Sequence, residues 1–251
     1  MSDFLFRGAL AEIDPAVADL IEREADRQAR KLILVPSESA APMAVREALG
    51  SVFQNIYAEG YPDPRTRAQT EAEILDYDEQ MGHYRRYGDP RYYKGVEYAD
   101  IAEALARRRC AELFAADNIP ADRIFVNAQP LSGAPANTAV YEALLKPCDT
   151  VMVMSLVVGG HLTHGSPVNR SGRHFNIVPY DVDPQTERLD YDHIRALALQ
   201  HKPRMIIAGY TSYPWAPDWA KFRAIADEAG AFLLADISHV AGLVADRKSV
   251  V

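Results

Sequence analysis

Asp236 follows directly on Phe232-Leu233-Leu234-Ala235, a short apolar run that reads as a strand buried on both faces of a parallel sheet. Open α/β sheets hold ligands outside the carboxyl ends of their strands, so this acid stands where such folds place chemistry. A buried carboxylate needs a cation or hydrogen-bond donors, because an unpaired charge in low dielectric is expensive. His239, three residues on, belongs to the loop that leaves the strand and can face the same pocket. A purely structural role, with Asp236 capping a following turn or helix, satisfies this stretch equally well.

Three further clusters carry side chains of the right types. Ser132-Gly133-Ala134-Pro135-Ala136-Asn137 runs straight into a helix, and its small residues would let an anion such as a phosphate approach the amides at the helix's positive end. The spacing is neither that of a Walker loop nor that of a dinucleotide fingerprint. Gly159-Gly160-His161-Leu162-Thr163-His164-Gly165 sets two imidazoles in a loop past the strand ending at Met154. A metal would need a third ligand at suitable spacing, which is missing, and a flat imidazole can equally stack on a cofactor ring. Thr211-Ser212-Tyr213 offers hydroxyls just after the strand ending at Ala208. A phosphate cradle, a planar ring, a hydroxyl and a buried acid at successive strand ends make up the set that pyridoxal phosphate requires, the acid keeping the pyridine nitrogen protonated. No lysine falls on a strand-end loop: Lys202, Lys221 and Lys248 lie on helices or in the tail.

The elements that must position these residues are regular from Val96 onward. A helix over Ile101 to Phe114, with Ala104, Leu105 and Leu113 inward, precedes a strand over Arg123 to Asn127 and a helix through Val140, Leu144 and Leu145. Strands are predicted at Thr150–Met154, Phe175–Pro179, Met205–Ala208 and Phe232–Ala235, with helices at Tyr191–Gln200 and Trp219–Ala229. Apolar strands alternating with helices imply βαβ units and a mostly parallel sheet. Upstream, Asp14-Pro15 opens a helix carrying Val17, Leu20, Ile21 and Ala25, and a second helix starts near Pro42 and runs through Val45, Leu49 and Val52. The aromatic stretches Tyr57-Ala58-Glu59-Gly60-Tyr61-Pro62 and Arg91-Tyr92-Tyr93-Lys94-Gly95 bracket a polar segment, Asp63 to Pro90. Its capping-box start at Thr70 marks it as a helical excursion on the surface.

With 251 residues, 48% hydrophobic and 25% charged, the composition is that of a globular protein with one main domain and an arm. A net charge of −8 argues against a nucleic-acid partner, which needs a basic face. Cys110 and Cys148 are the only cysteines and form neither a disulfide framework nor a metal-ligand spacing, as expected in a reducing compartment. No secretory leader and no stretch of membrane-spanning length is apparent, so a cytoplasmic location away from membranes is expected.

Taken together, Val35-Pro36-Ser37-Glu38, the Tyr57 to Pro62 and Arg91-Tyr92-Tyr93 stretches, Gly159 to Asn169, Val178-Pro179-Tyr180 and Ala235-Asp236 through Leu243 resemble the serine (glycine) hydroxymethyltransferase family of fold-type-I pyridoxal phosphate enzymes. The likeness runs from about Asp14 to Val244 outside the excursion. It implies an α/β fold: a three-layer large domain over 96–251, mostly parallel sheet with flanking helices and incomplete at its C-terminus. Before it come an N-terminal helical arm (1–56) and an active-site and dimer segment (57–95) with a family-atypical insertion at 63–90.

The resemblance also implies roles. Asp236 pairs with the pyridine nitrogen, His161 stacks on the ring, Thr211 and His239 sit at the cofactor's hydroxyl side, and Ser132, Gly133 and Ala134 hold the phosphate. Ser37 helps to hold the substrate carboxylate, Glu59 is the acid/base, and Leu156 and Gly160 line the folate site. Tyr57, Glu59 and Tyr93 reach into a neighbouring subunit's site, implying a homodimer. The implied reaction moves a one-carbon unit between serine and tetrahydrofolate, giving glycine. Departures from the family pattern are Ala134 where a second phosphate-binding serine is expected, Val157-Val158 where a small residue and a histidine are expected, the insertion, and the tail Asp246-Arg247-Lys248-Ser249-Val250-Val251. Where the family continues to its Schiff-base lysine and a substrate-binding arginine, this chain stops, so it is expected to be an N-terminal part, inactive alone and holding pyridoxal phosphate non-covalently at best. Two other readings stay open: a non-catalytic binding or regulatory subunit of the same fold, and a folate-independent aldolase acting on threonine-type substrates.

Overall fold

The computed structural model describes residues 8–247, so the segment 1–7 and the tail at 248–251, with Lys248, lie outside the described residues. The chain divides into two compact units after Ala40. In the first, α1 (Leu10–Ile13) leads to α2 (Pro15–Arg30). Asp14 caps α2 by accepting from the Val17 N–H at 3.1 Å, with Pro15 in the first turn, where its missing N–H costs nothing. Val17, Leu20 and Ile21 are exposed. Ser37 lies in an exposed turn of this unit, closed by the Glu38 N–H to the Val35 carbonyl.

The second unit opens with α3 (Met43–Leu49), which ends at Gly50, and the 3-10 turn Val52–Asn55 replaces the helical continuation expected through Val52. A 3-10 turn (Pro64–Ala68), α4 (Glu71–Ile74) and α5 (Tyr77–Tyr87) form the excursion, which meets α6 (Glu97–Phe114). The capping box is present: the Glu73 N–H reaches the Thr70 hydroxyl at 3.3 Å and the Thr70 N–H reaches the Glu73 carboxylate at 2.7 Å. A purely superficial excursion is not what forms. Ile74 is fully buried against Ile101 and Ala104 of α6, flanked by Leu75 and Met81, and Gln80 and Tyr84 are buried as well. The few apolar side chains of a polar segment are enough to dock it. Leu113, expected inward, is exposed, whereas Ala111 two residues before it is buried.

Then come α7 (Gly133–Leu144), β1 (Thr150–Met154), α8 (Arg170–His174), β2 (Asn176–Tyr180), α9 (Tyr191–His201), β3 (Met205–Ala208), α10 (Trp219–Ala229), β4 (Phe232–Ala235) and α11 (Ala241–Ala245). The four strands pair in the order β2-β1-β3-β4, all parallel. Strand alternation divides their side chains between two cores. Met152, Met154, Ile206 and Ala208 pack on α9 and α10 through Ile194, Ala198, Phe222 and Ile225, whereas Val151, Val153, Met205 and Ile207 pack on α7 through Tyr141 and Leu145. Each large side chain so buried contributes about 1.5–3 kcal/mol. The result is helix, sheet, helix: three layers.

Two strand expectations are corrected. Residues 123–127 form no strand: after the 3-10 turn Ala121–Arg123 the chain is irregular, and no described strand lies beside it to complete a ladder. Phe125 is exposed beneath the Arg67 guanidinium instead. β4, expected to be buried on both faces, is an edge strand with Phe232 exposed and its other residues half-buried, because only β3 pairs with it among the described residues.

Candidate active site

The chain passes from β1 outward to β2, crosses back over β1 to β3, and continues outward to β4, so β1 and β3 flank the point where the winding reverses. Open parallel sheets bind ligands outside the carboxyl ends of such a pair. The two loops that emerge there are stitched together, the Thr211 and Ser212 N–H groups donating to the Gly159 carbonyl at 2.8 and 3.3 Å. Gly159, with φ +121°, permits this approach, since a Cβ there would lie 3.1 Å from the Tyr213 nitrogen, and two further glycines tighten the strand ends. A Cβ on Gly160 would lie 2.3 Å from the Met154 carbonyl oxygen, and one on Gly209, whose φ is +128°, would lie 2.0 Å from that of Asp236.

Asp236 extends the β3–β4 ladder by one bond, its N–H donating to the Ala208 carbonyl at 2.7 Å. Its carboxylate gathers four donors. Oδ1 accepts from the Ser238 N–H at 3.1 Å and the Ser238 hydroxyl at 2.5 Å, and Oδ2 accepts from the Asn137 carboxamide at 2.9 Å and from His164 Nε2 at 2.8 Å. Burial by itself would raise this carboxyl. The bonds from His164, Asn137 and Ser238 outweigh it and hold Asp236 well below the ordinary carboxylate range. The strand end therefore presents a fixed, part-buried negative charge.

Asn137 is the fifth residue of α7, so the same helix that grips Asp236 begins beside it. A Cβ on Gly133 would meet the Ser238 hydroxyl at 3.6 Å. Ser132 caps α7 through its carbonyl, which accepts from the Ala136 N–H at 3.1 Å, while its hydroxyl makes no capping bond. The first amides of this 12-residue helix, Gly133 and Ala134 included, have no intrahelical acceptor and face outward at its positive end.

α7 also sets the loop after β1. The Asn137 carboxamide donates its second hydrogen to the Thr163 hydroxyl at 3.0 Å, and one turn on the buried Tyr141 hydroxyl donates to the Thr163 carbonyl at 2.9 Å. The Thr163 N–H in turn reaches His161 Nδ1 at 3.2 Å, which leaves the ring proton on Nε2. Burial lowers the His161 pKa, His164 and His239 add to that, and Asp236 opposes it, so the half-buried ring is neutral at pH 7. His161 and His164 meet edge to face, with centroids 5.6 Å apart. The Thr211 hydroxyl is buried and has no hydrogen-bond partner among the described residues.

Bonds and close approaches thus tie the carboxyl ends of β1, β3 and β4 to the start of α7: Asp236, Asn137, Thr163 and His161 form one bonded run, Gly133 approaches Ser238, and the Thr211 N–H meets the Gly159 carbonyl beside Gly160. Ser132 and Ala134 flank Gly133, His239 is exposed after β4, and Leu156 is exposed on the 3-10 turn Leu156–Val158. Among the described residues no hydrogen bond or ring contact links Tyr57, Glu59 or Tyr93 to Asp236. Tyr57 and Tyr93 pack edge to face at 5.3 Å, and Glu59 is exposed. Sequence reasoning missed Asn137 and His164 as partners of Asp236. The signal for Asn137 was a polar residue on the inward stripe with Tyr141, four residues on. For His164 no local signal distinguishes it from His161, since the loop conformation decides which ring turns to the acid.

An ionised acid, a neutral imidazole, an unpartnered hydroxyl and a free helix N-terminus stand at the reversal point of a parallel sheet, the place where α/β folds of this class carry their sites. The family description Serine hydroxymethyltransferase matches residues 10–89 and 83–250. Among curated proteins, the serine hydroxymethyltransferase of Synechococcus sp. (strain JA-3-3Ab) is 49% identical over 236 residues, 94% of this chain and 47% of that protein. The chain belongs to the serine hydroxymethyltransferase family, which is of fold type I and depends on pyridoxal phosphate. It spans about half the length of the curated relative it matches.

Proposed function

We propose that this chain is the cofactor-binding part of an enzyme that moves a one-carbon unit between serine and tetrahydrofolate, giving glycine. The observation that carries the reading is the ionised Asp236, held beside the free N-terminus of α7, with the unpartnered Thr211 hydroxyl on the loop after the neighbouring strand β3. Pyridoxal phosphate fits these residues. Ser132, Gly133 and Ala134 would take its phosphate, Thr211 and His239 its phenolic side, and Asp236 its pyridine nitrogen. When bound, it supplies an electron sink for bonds broken at the substrate's α-carbon.

The chain's own residues then divide the work. Asp236 would favour a proton on the pyridine nitrogen, because a carboxylate held ionised stabilises positive charge placed beside it. Neutral His161 offers a flat face without a competing positive charge. In α7, Ala134 stands where the resemblance expects a second hydroxyl, so backbone amides carry more of the phosphate. Glu59 is assigned the acid/base role at the substrate hydroxyl, Ser37 the substrate carboxylate, Leu156 and Gly160 the folate side, and Tyr57 and Tyr93 the neighbouring subunit of a homodimer. The arm (1–56), bridging segment (57–95) and large domain (96–251) belong to the same reading, as does a cytoplasmic location. No helix among the described residues is long and apolar enough to cross a membrane.

The test is steady-state turnover of the full-length protein. Serine cleavage dependent on both pyridoxal phosphate and tetrahydrofolate is expected, with Asp236→Ala losing it. Equal cleavage of a threonine-type substrate without folate would replace this reading with the aldolase. The 251-residue chain alone, reduced with borohydride in the presence of pyridoxal phosphate, is expected to carry no stoichiometric lysine adduct.

A further inference from the structure

The 63–90 segment leaves and re-enters the fold beside Glu59. The Tyr92 N–H donates to the Glu59 carbonyl at 3.2 Å, so the residues flanking the excursion are neighbours. Arg91, the first residue after it, is 3% exposed, and its guanidinium turns back onto the Glu59 turn. One terminal nitrogen donates to the carbonyls of Ala58 and Gly60, the latter at 3.1 Å, gripping the backbone on both sides of Glu59. Arg91 Nε donates to Asp100, and the other terminal nitrogen reaches Glu103 at 2.6 Å.

Asp100, on α6, is fully buried. One of its oxygens takes Arg91. The other accepts from the Tyr84 hydroxyl at 3.1 Å, and Tyr84 belongs to α5, inside the excursion. A carboxylate stripped of water needs donors at both oxygens, and Arg91 alone must serve two acids and two carbonyls. The phenol supplies the donor that Arg91 cannot. Docking of Ile74 on Ile101 and Ala104 holds the excursion against α6, where that phenol reaches Asp100.

We propose that Tyr84 is a positioning residue: acting through Asp100 and Arg91, the excursion fixes the backbone that presents Glu59. This inference rests on the acid/base role given to Glu59 above.

The test uses the full-length protein and Tyr84→Phe, which keeps the ring and its packing and removes only the hydroxyl. Amide hydrogen exchange at Tyr92, whose N–H donates to the Glu59 carbonyl, is expected to speed up about tenfold, the loss of one hydrogen bond to a charged group, while exchange in β1 and β3 is unchanged. In the pyridoxal phosphate-loaded protein, kcat for serine cleavage falls by a similar factor with KM for serine unchanged, and the limb of the pH–kcat profile that Glu59→Gln abolishes is displaced. In an Asp100→Asn background, Tyr84→Phe adds less than about twofold, because the charged acceptor is gone.

Unchanged exchange at Tyr92 overturns the proposal. Faster exchange with an undisplaced pH limb overturns it as well, and Glu59→Gln then separates the two ideas: a silent Glu59→Gln means that the reading of Glu59 has failed, an inactivating one that only the Tyr84 link has. Should Tyr84→Phe not fold, Arg91→Lys keeps the charge and loses the two-carbonyl grip. The same acceleration is expected there, and its absence refutes the chain of contacts.

Discussion

Replacing Asn137 by alanine removes both hydrogens of one carboxamide at once. The bond to ionised Asp236 contributes about 1.5–3 kcal/mol and the bond to the Thr163 hydroxyl about 0.5–1.5 kcal/mol. Asp236 Oδ2 keeps its His164 donor, so the lower half of the summed range applies, about 2–3 kcal/mol. Urea unfolding of the full-length protein at pH 7, extrapolated to water, is the assay. The pH dependence sharpens it. Asp236 has a folded pKa held below its ordinary 3.8, so it contributes stability above pH 3.8 that is lost as pH falls toward the folded value. Asn137→Ala removes part of that contribution. The gap between the two proteins is therefore widest near neutrality and narrows as pH drops through 3.8. A loss below about 0.5 kcal/mol, or a gap independent of pH, would refute the claim that α7 holds the acid in its ionised state.

Three further outcomes follow from the same geometry. Thr211→Val removes a buried hydroxyl that has no partner, so thermal stability without cofactor should hold or rise, while pyridoxal phosphate affinity by absorbance titration falls about tenfold; a loss of stability in the cofactor-free protein counts against an orphaned hydroxyl. Gly160→Ala places a methyl 2.3 Å from the Met154 carbonyl and should cost about 3 kcal/mol in denaturant unfolding, with the Thr211 loop losing its exchange protection. Phe222→Ala empties a fully buried site between α10 and the sheet and should cost about 3–5 kcal/mol, read by the same unfolding curve, without altering cofactor affinity in the protein that remains folded.

Where local chemistry decides structure, the chain was readable in advance. Trp219–Ala229 and Phe232–Ala235 have the bounds that their apolar spacing indicates, and Thr70 caps its helix as its neighbour Glu73 requires. The position of Asp236 directly after a strand was legible for the same reason, in the four apolar residues that precede it. What depended on distant partners was not legible. Ile124-Phe125-Val126 has strand chemistry and no strand beside it, and β4 has core chemistry and only one neighbour. Asn137 and His164 reach Asp236 across 99 and 72 residues of sequence, a separation that no spacing rule spans.

The excursion at 63–90 enters and leaves through a doorway one hydrogen bond wide, from Tyr92 to Glu59. Closing a loop of twice the length adds only about 0.6 kcal/mol, so such a doorway tolerates a graft of almost any size. Chain length is thus nearly free at this point of the fold, whereas the contacts the excursion makes are not. Excision would nevertheless take with it the one phenol that Asp100 accepts from.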